Sequence, residues 1–188
     1  EFLKNNTAEL FNASKFWDYL DHGWFTINFF ANDSFGNINN TYSLRLYKDV
    51  QAPWITINDP VNETSCNTPP TLNITVYDKH FHKLWYTIDG LTGIEFLENN
   101  TAELLNNTAT GPDFWNNLPH GWFTLRIYAN ETFNQINNSY TLRLYKDVQA
   151  PWITINDPTN ETSYDAPHTL NLTVYDKNFP KLWYTIAG

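Results

Sequence analysis

The chain has 188 residues, enough for one or two domains, and a formal net charge of -9 with only 11 Lys+Arg. A surface of that sign repels phosphate backbones and anionic headgroups, which sets nucleic acid and membrane surfaces aside as partners. Aromatic residues abound (8 Trp, 11 Tyr, 13 Phe) while charged helix-formers are few, so the expected fold class is all-β.

Taken in order, runs of period two occur at 42–47, 54–57, 72–77, 83–88, 94–97, 122–129 and 139–146, with a further short strand expected at 101–105. Asn, Asp, Gly and Pro separate them. Parity assigns the faces. Phe123, Leu125, Ile127 and Ala129 form one apolar side, as do Leu72, Ile74 and Val76, and Tyr140, Leu142 and Leu144. Their neighbours face solvent or a partner.

The same elements come round again. YKDVQAPWITINDP at 47–60 recurs unchanged at 145–158, HGWFT at 22–26 recurs at 120–124, and KLWYTI at 83–88 recurs at 181–186, all at a spacing of 98. EFLKNNTAEL at 1–10 returns as EFLENNTAEL at 95–104. The polar, proline-ended KDVQAP marks the boundary between units. Residues 1–50 then read as the C-terminal half of one domain, 51–148 as a complete domain, and 149–188 as the N-terminal half of a third. Seven short strands in about 98 residues suit a tandem immunoglobulin-like β-sandwich. Half a sandwich exposes its apolar face. The missing halves are expected from a longer array of the same repeats, or from head-to-tail pairing of subunits by strand complementation.

Twelve N-x-S/T acceptors occur, at Asn5, Asn12, Asn32, Asn39, Asn62, Asn73, Asn99, Asn106, Asn130, Asn137, Asn160 and Asn171. Random placement of 26 Asn and 28 Ser+Thr gives roughly four. All twelve pair between copies, and where residues change, as from Asn32-Asp-Ser to Asn130-Glu-Thr, the acceptor is kept. Covalent N-glycans and an extracellular, cell-surface location are therefore expected. Parity places Asn32, Asn39, Asn73, Asn130, Asn137 and Asn171 on the polar face.

Six tryptophans lie in W-x-T. Parity turns Trp24, Trp54, Trp122 and Trp152 outward, where a neighbouring domain, a glycan or an external sugar would cover them. Trp85 and Trp183 are expected in the core, since a sandwich commonly buries one central Trp.

The order D-x-x-A-P-x-I-T-I (Asp49–Ile57), L-x-I-T-V-Y-D (Leu72–Asp78), W-Y-T-I-D-G (Trp85–Gly90) and G-W-F-T followed by A-N-D-S-F-G-N (Gly23–Asn37) resembles the Ig-like repeats of large prokaryotic surface proteins, archaeal arrays above all. The likeness spans the whole chain. Some relatives in bacterial adhesins stiffen linkers with calcium, and by that analogy Asp33, Asp49 and Asp147 are candidate ligands. The second copy reads ANETFNQ where the first has ANDSFGN, which favours turn formation by these residues.

Catalytic signals are missing. His80-x-His82 is matched by Asn178 and Pro180 in the other copy, so no metal site is assigned and both histidines read as loop residues. His22 and His120 precede the GWFT strand without a recognisable nucleophile beside them. Cys66, the lone cysteine, is matched by Tyr164 and reads as incidental. No apolar run is long enough to insert into a membrane. The sequence predicts no enzyme and no cofactor. It predicts a structural surface polymer whose main partner is itself, with an adhesin or carbohydrate-binding module as the alternative.

Overall fold

A computed structural model describes residues 16–105 and 113–187; Asn5, Asn12 and Asn106 fall outside them. A 3-10 turn at Trp17–Tyr19 leads into strands β1 (Gly23–Asn32) and β2 (Ile38–Lys48). Then come β3 (Trp54–Asp59), β4 (Ser65–Cys66), β5 (Thr71–Tyr77), β6 (Phe81–Ile88), β7 (Glu95–Leu97) and β8 (Ala102–Leu104). One helical turn, α1 (Phe114–Asn117), precedes β9 (Gly121–Glu131) and β10 (Ile136–Lys146), and β11 (Trp152–Asp157) and β12 (Asn171–Tyr175) follow. The protein is all-β in class. No helix among the described residues is long and apolar enough to cross a membrane.

Between Trp54 and Lys146 two sheets share one core. The first has the order β3-β5-β8 and the second β4-β10-β9-β6-β7. Pairing is antiparallel except for β10 with β4, and a bulge interrupts the β9–β10 ladder between Asn137 and Tyr140. Ile55, Leu72, Ile74 and Val76 enter the core from one sheet, and Leu84, Tyr86, Ile88, Leu125, Ile127, Leu142 and Leu144 from the other. Each such aliphatic side chain contributes roughly 1.5–3 kcal/mol on burial.

A plug without β periodicity closes one end. Asp113 caps α1 by accepting the Asn116 N–H at 3.2 Å, and Phe114, Trp115 and Leu118 are buried. The last carbonyls of so short a helix have few local donors, the Leu118 N–H reaching those of Phe114 and Trp115 at 3.0 and 3.3 Å. Buried Lys146 adds to them, its Nζ donating to the oxygens of Trp115 and Leu118 at 2.7 Å each. Lys48 does the same for Trp17 and Leu20, at 2.5 and 2.7 Å.

The flanking strands copy parts of this unit. The β1–β2 hairpin pairs Phe25 with Leu46, as β9–β10 pairs Phe123 with Leu144. The β11–β12 pair sets Ile153 against Val174, as β3–β5 sets Ile55 against Val76. Among the described residues neither copy has a second sheet over its apolar face. Leu142 is 2% exposed but its counterpart Leu44 is 45% exposed, and Ile55 at 1% contrasts with Ile153 at 52%. Residues 179–186 repeat the sequence pattern of β6 yet form no strand. In the central unit β6 is held by β9 on one side and β7 on the other, and among the described residues no such neighbours flank 179–186.

One expectation is corrected. Trp85 is not a core residue: Leu84, Tyr86 and Ile88 take the inward parity of β6, and Trp85 stacks on Tyr128 across the opposite face, with centroids 5.4 Å apart. Trp183 is exposed as well. Because both parities of KLWYTI carry an aromatic ring, the tripeptide alone could not say which one turns inward.

Candidate functional site at the repeat junction

Among the described residues a polar and aromatic cluster lies where one repeat meets the next, and it is built twice. In the first instance His22 lies just before β1 and Trp24 on it, β2 delivers Tyr47, and Asp49 follows at the start of the linker. His22 Nε2 lies 2.9 Å from the Tyr47 hydroxyl, and its Nδ1 accepts the Val50 N–H at 3.3 Å. Accepting at Nδ1 places the ring proton on Nε2, where the tyrosine oxygen receives it. The second instance repeats each contact. His120 Nε2 is 3.0 Å from the Tyr145 hydroxyl, and Val148 N–H donates to His120 Nδ1 at 3.3 Å.

The following unit contributes a lysine to each. Lys79 Nζ sits 3.8 Å from the centroid of Trp24 and 4.0 Å from that of Tyr47. Lys177 Nζ takes the same place, 3.8 Å from Trp122 and 4.4 Å from Tyr145. Arg45 and Arg143 stack on the same tryptophans at 4.4 and 4.1 Å. An aromatic face carries negative potential, so two cations can share one indole. The linker is tied down too, with Asn137 Nδ2 donating to the Pro53 carbonyl at 2.8 Å and Gln135 Nε2 to that of Asp49 at 3.3 Å.

Replacing Lys79 with alanine is expected to cost about 1–2 kcal/mol of junction closure without lowering the melting temperature of the central unit. Hydrogen exchange over residues 49–53 would report the opening as faster exchange there, against unchanged protection in β9 and β10.

No family model and no curated protein matches the chain.

The junction therefore stands on its own geometry. It gathers Trp24, Trp122, Asp49 and Asp147, which the sequence had singled out, together with His22, His120 and His80, to which the sequence gave no role, and adds Lys79 and Lys177, which it had not considered. The signal was available in the pairing of copies, since Trp24 and Lys79 repeat together as Trp122 and Lys177. Trp54 and Trp152 lie elsewhere, exposed on β3 and β11 beside exposed Tyr77 and Tyr175. Asp33 serves its own turn: its carboxylate accepts from the backbone of Phe35 and Asn37 at 2.9 Å, and the Asn37 bonds hold its pKa below the usual carboxylate range.

The acceptor asparagines fall into two groups. Asn32, Asn39, Asn62, Asn160 and Asn171 are exposed, whereas Asn73, Asn99, Asn130 and Asn137 are half-buried. Asn39, Asn62, Asn73 and Asn171 accept through Oδ1, which spares the nitrogen that a sugar would occupy. Asn99 and Asn137 use that nitrogen, donating to the carbonyls of Val76 at 3.1 Å and Pro53 at 2.8 Å.

Proposed function

We propose that this protein is a structural component of an extracellular array or filament, built from N-glycosylated immunoglobulin-like repeats whose open halves are completed by further copies of the repeat, in a longer array or head to tail between subunits. The observation that carries this reading is the pair of open halves. β11–β12 with residues 179–186 corresponds to the first part of the central unit, β1–β2 to the last part, and each leaves uncovered the aliphatic positions that the central unit buries. Laid together in the register of β6 and β9, Tyr184 of one copy would face Phe29 of the next, as Tyr86 faces Ile127. On this reading the domains are residues 1–50, 51–148 and 149–188, and the occupant of each open face is another copy of the same repeat.

The excess of acceptor tripeptides supports an external location, and the exposed asparagines are where sugars would sit. Site-by-site glycopeptide mapping of the native protein tests this: occupancy is expected to be highest at Asn32, Asn39, Asn62, Asn160 and Asn171, and lowest at Asn99 and Asn137. A native chain at its bare mass of 22.0 kDa would remove the glycan part of the proposal. Negative-stain images showing separate, unassociated particles would remove the filament part.

A second reading draws on the outward pair Trp54 and Tyr77, with Tyr140 edge-on at 6.4 Å from Trp54. An exposed aromatic patch suits a sugar ring, so carbohydrate binding by β3 and β11 is the alternative.

A further inference from the structure

Asp49 is the point where three segments of the first junction converge. It leaves β2 with its side chain only 3% exposed, facing His80 from the turn between β5 and β6, and Glu131 at the end of β9. One donor atom from each of Asp49, His80 and Glu131 lies within 4.8 Å of the others, the only such group among the described residues. Bonds to the backbone hold the three in place: Thr132 N–H donates to the His80 carbonyl at 2.9 Å, Glu131 N–H to the Gln135 carbonyl at 3.2 Å, and Gln135 Nε2 to the Asp49 carbonyl at 3.3 Å.

Two carboxylate oxygens in this cluster are buried and have no hydrogen-bond partner, Asp49 Oδ1 and Glu131 Oε2, and Glu131 as a whole is 0% exposed. His22 Nδ1 lies 3.5 Å from Asp49 Oδ1 but already accepts the Val50 N–H, so it has no proton to offer. A buried carboxylate oxygen without a donor is costly. Asp78 adds to the negative charge. Its Oδ1 accepts the His80 N–H at 2.7 Å, which places a further carboxylate beside the cluster. Lys79, the adjacent cation, is turned to Trp24 and Tyr47.

We propose that Asp49, His80 and Glu131 form a three-ligand site for a divalent transition-metal ion of the zinc class, which fastens the linker to the loop and turn of the following unit. The donor set decides the class of ion. One imidazole nitrogen and two carboxylates, with a fourth position left for water, suit zinc. Calcium, the ion expected at linkers by resemblance, needs six to eight oxygens. His80 Nδ1 and Asp49 Oδ2 are 2.5 Å apart, so a bound ion replaces that hydrogen bond and opens the pair toward the roughly 3.3 Å of tetrahedral neighbours around a centre with bonds of about 2.0 Å. The other junction shows the contrast. Asn178 occupies the place of His80 and donates its amide nitrogen to Asp147 Oδ2 at 2.5 Å, and an amide nitrogen is no ligand.

The test titrates zinc chloride into the chelator-stripped full chain by calorimetry, with calcium and magnesium chloride in parallel, for wild type, His80→Asn and Glu131→Gln. His80→Asn is the informative variant, because it installs the side chain that the second junction already carries. Its far-UV spectrum and metal-free melt are expected to match wild type. Wild type is expected to take up one zinc that His80→Asn loses, its affinity falling by more than the about 10–100-fold that loss of an outer-shell partner costs. Glu131→Gln is expected to weaken the same event. Zinc uptake unchanged in His80→Asn, no saturable zinc uptake by wild type, or calcium binding as tightly as zinc would each overturn the proposal.

Discussion

Aspartate at Leu44 and Leu46 is expected to prevent one end of the chain from associating, and aspartate at Ile153 and Ile155 the other, while an equimolar mixture of the two variants forms a single heterodimer. Each wild-type residue is an exposed aliphatic on a strand whose counterpart in the central unit carries core residues. Burying one such side chain contributes roughly 1.5–3 kcal/mol, so losing two removes about 3–6 kcal/mol before the penalty of burying charge is counted. Association should weaken at least about 1,000-fold, the equivalent of about 4 kcal/mol. Light scattering coupled to size exclusion reads the result directly. Wild type should show a concentration-dependent series, each double variant the 22.0 kDa chain, and the mixture twice that mass and nothing larger. A wild type that stays at one chain mass at every concentration, or a mixture that does not pair, would refute complementation between copies.

The second large effect compares one substitution at two equivalent places. Ile55→Ala should destabilise the central unit by about 2–5 kcal/mol, because Ile55 is 1% exposed and truncation leaves a cavity between two packed sheets. Ile153→Ala removes the same atoms from the same sequence context, but Ile153 is half exposed, and the monomer should lose less than about 1 kcal/mol. Urea denaturation of the isolated chain separates the two. Equal losses would mean that β11 is covered in the free protein.

Much of this architecture was legible before any coordinates. Strand positions and faces followed from alternation, because one side of each strand must be apolar when a single face is buried: Leu125 and Ile127 go inward, Arg126 outward, and nothing about tertiary context is needed to see it. What stayed hidden had no local period. The α1 plug is four residues long and shows neither a two-residue nor a 3.6-residue repeat, so Phe114 and Trp115 gave no sign of being core. Trp85 misled because KLWYTI has aromatic rings on both parities. The junction was hidden for a different reason: Lys79 meets Trp24 across more than half a repeat of intervening chain, and only the recurrence of both at a spacing of 98 hints at their contact. His80 gave the opposite hint, since its replacement by Asn178 argued against a role. The coordinates show that the replaced residue sits against the same linker aspartate in both copies.

The near-identity of the two junctions has a mechanical consequence. Lys177 engages Trp122 and Tyr145 just as Lys79 engages Trp24 and Tyr47, so the two junctions are held by the same contacts. If the proposed array repeats such a junction, each step applies the same rigid operation, and a long run of units would wind as a screw of constant pitch. Under tension no hinge in such a fibre would be weaker than its neighbours, and the pull would be shared evenly. A junction clamped by an ion would be the exception, a stiffer joint at a fixed address in an otherwise uniform spring.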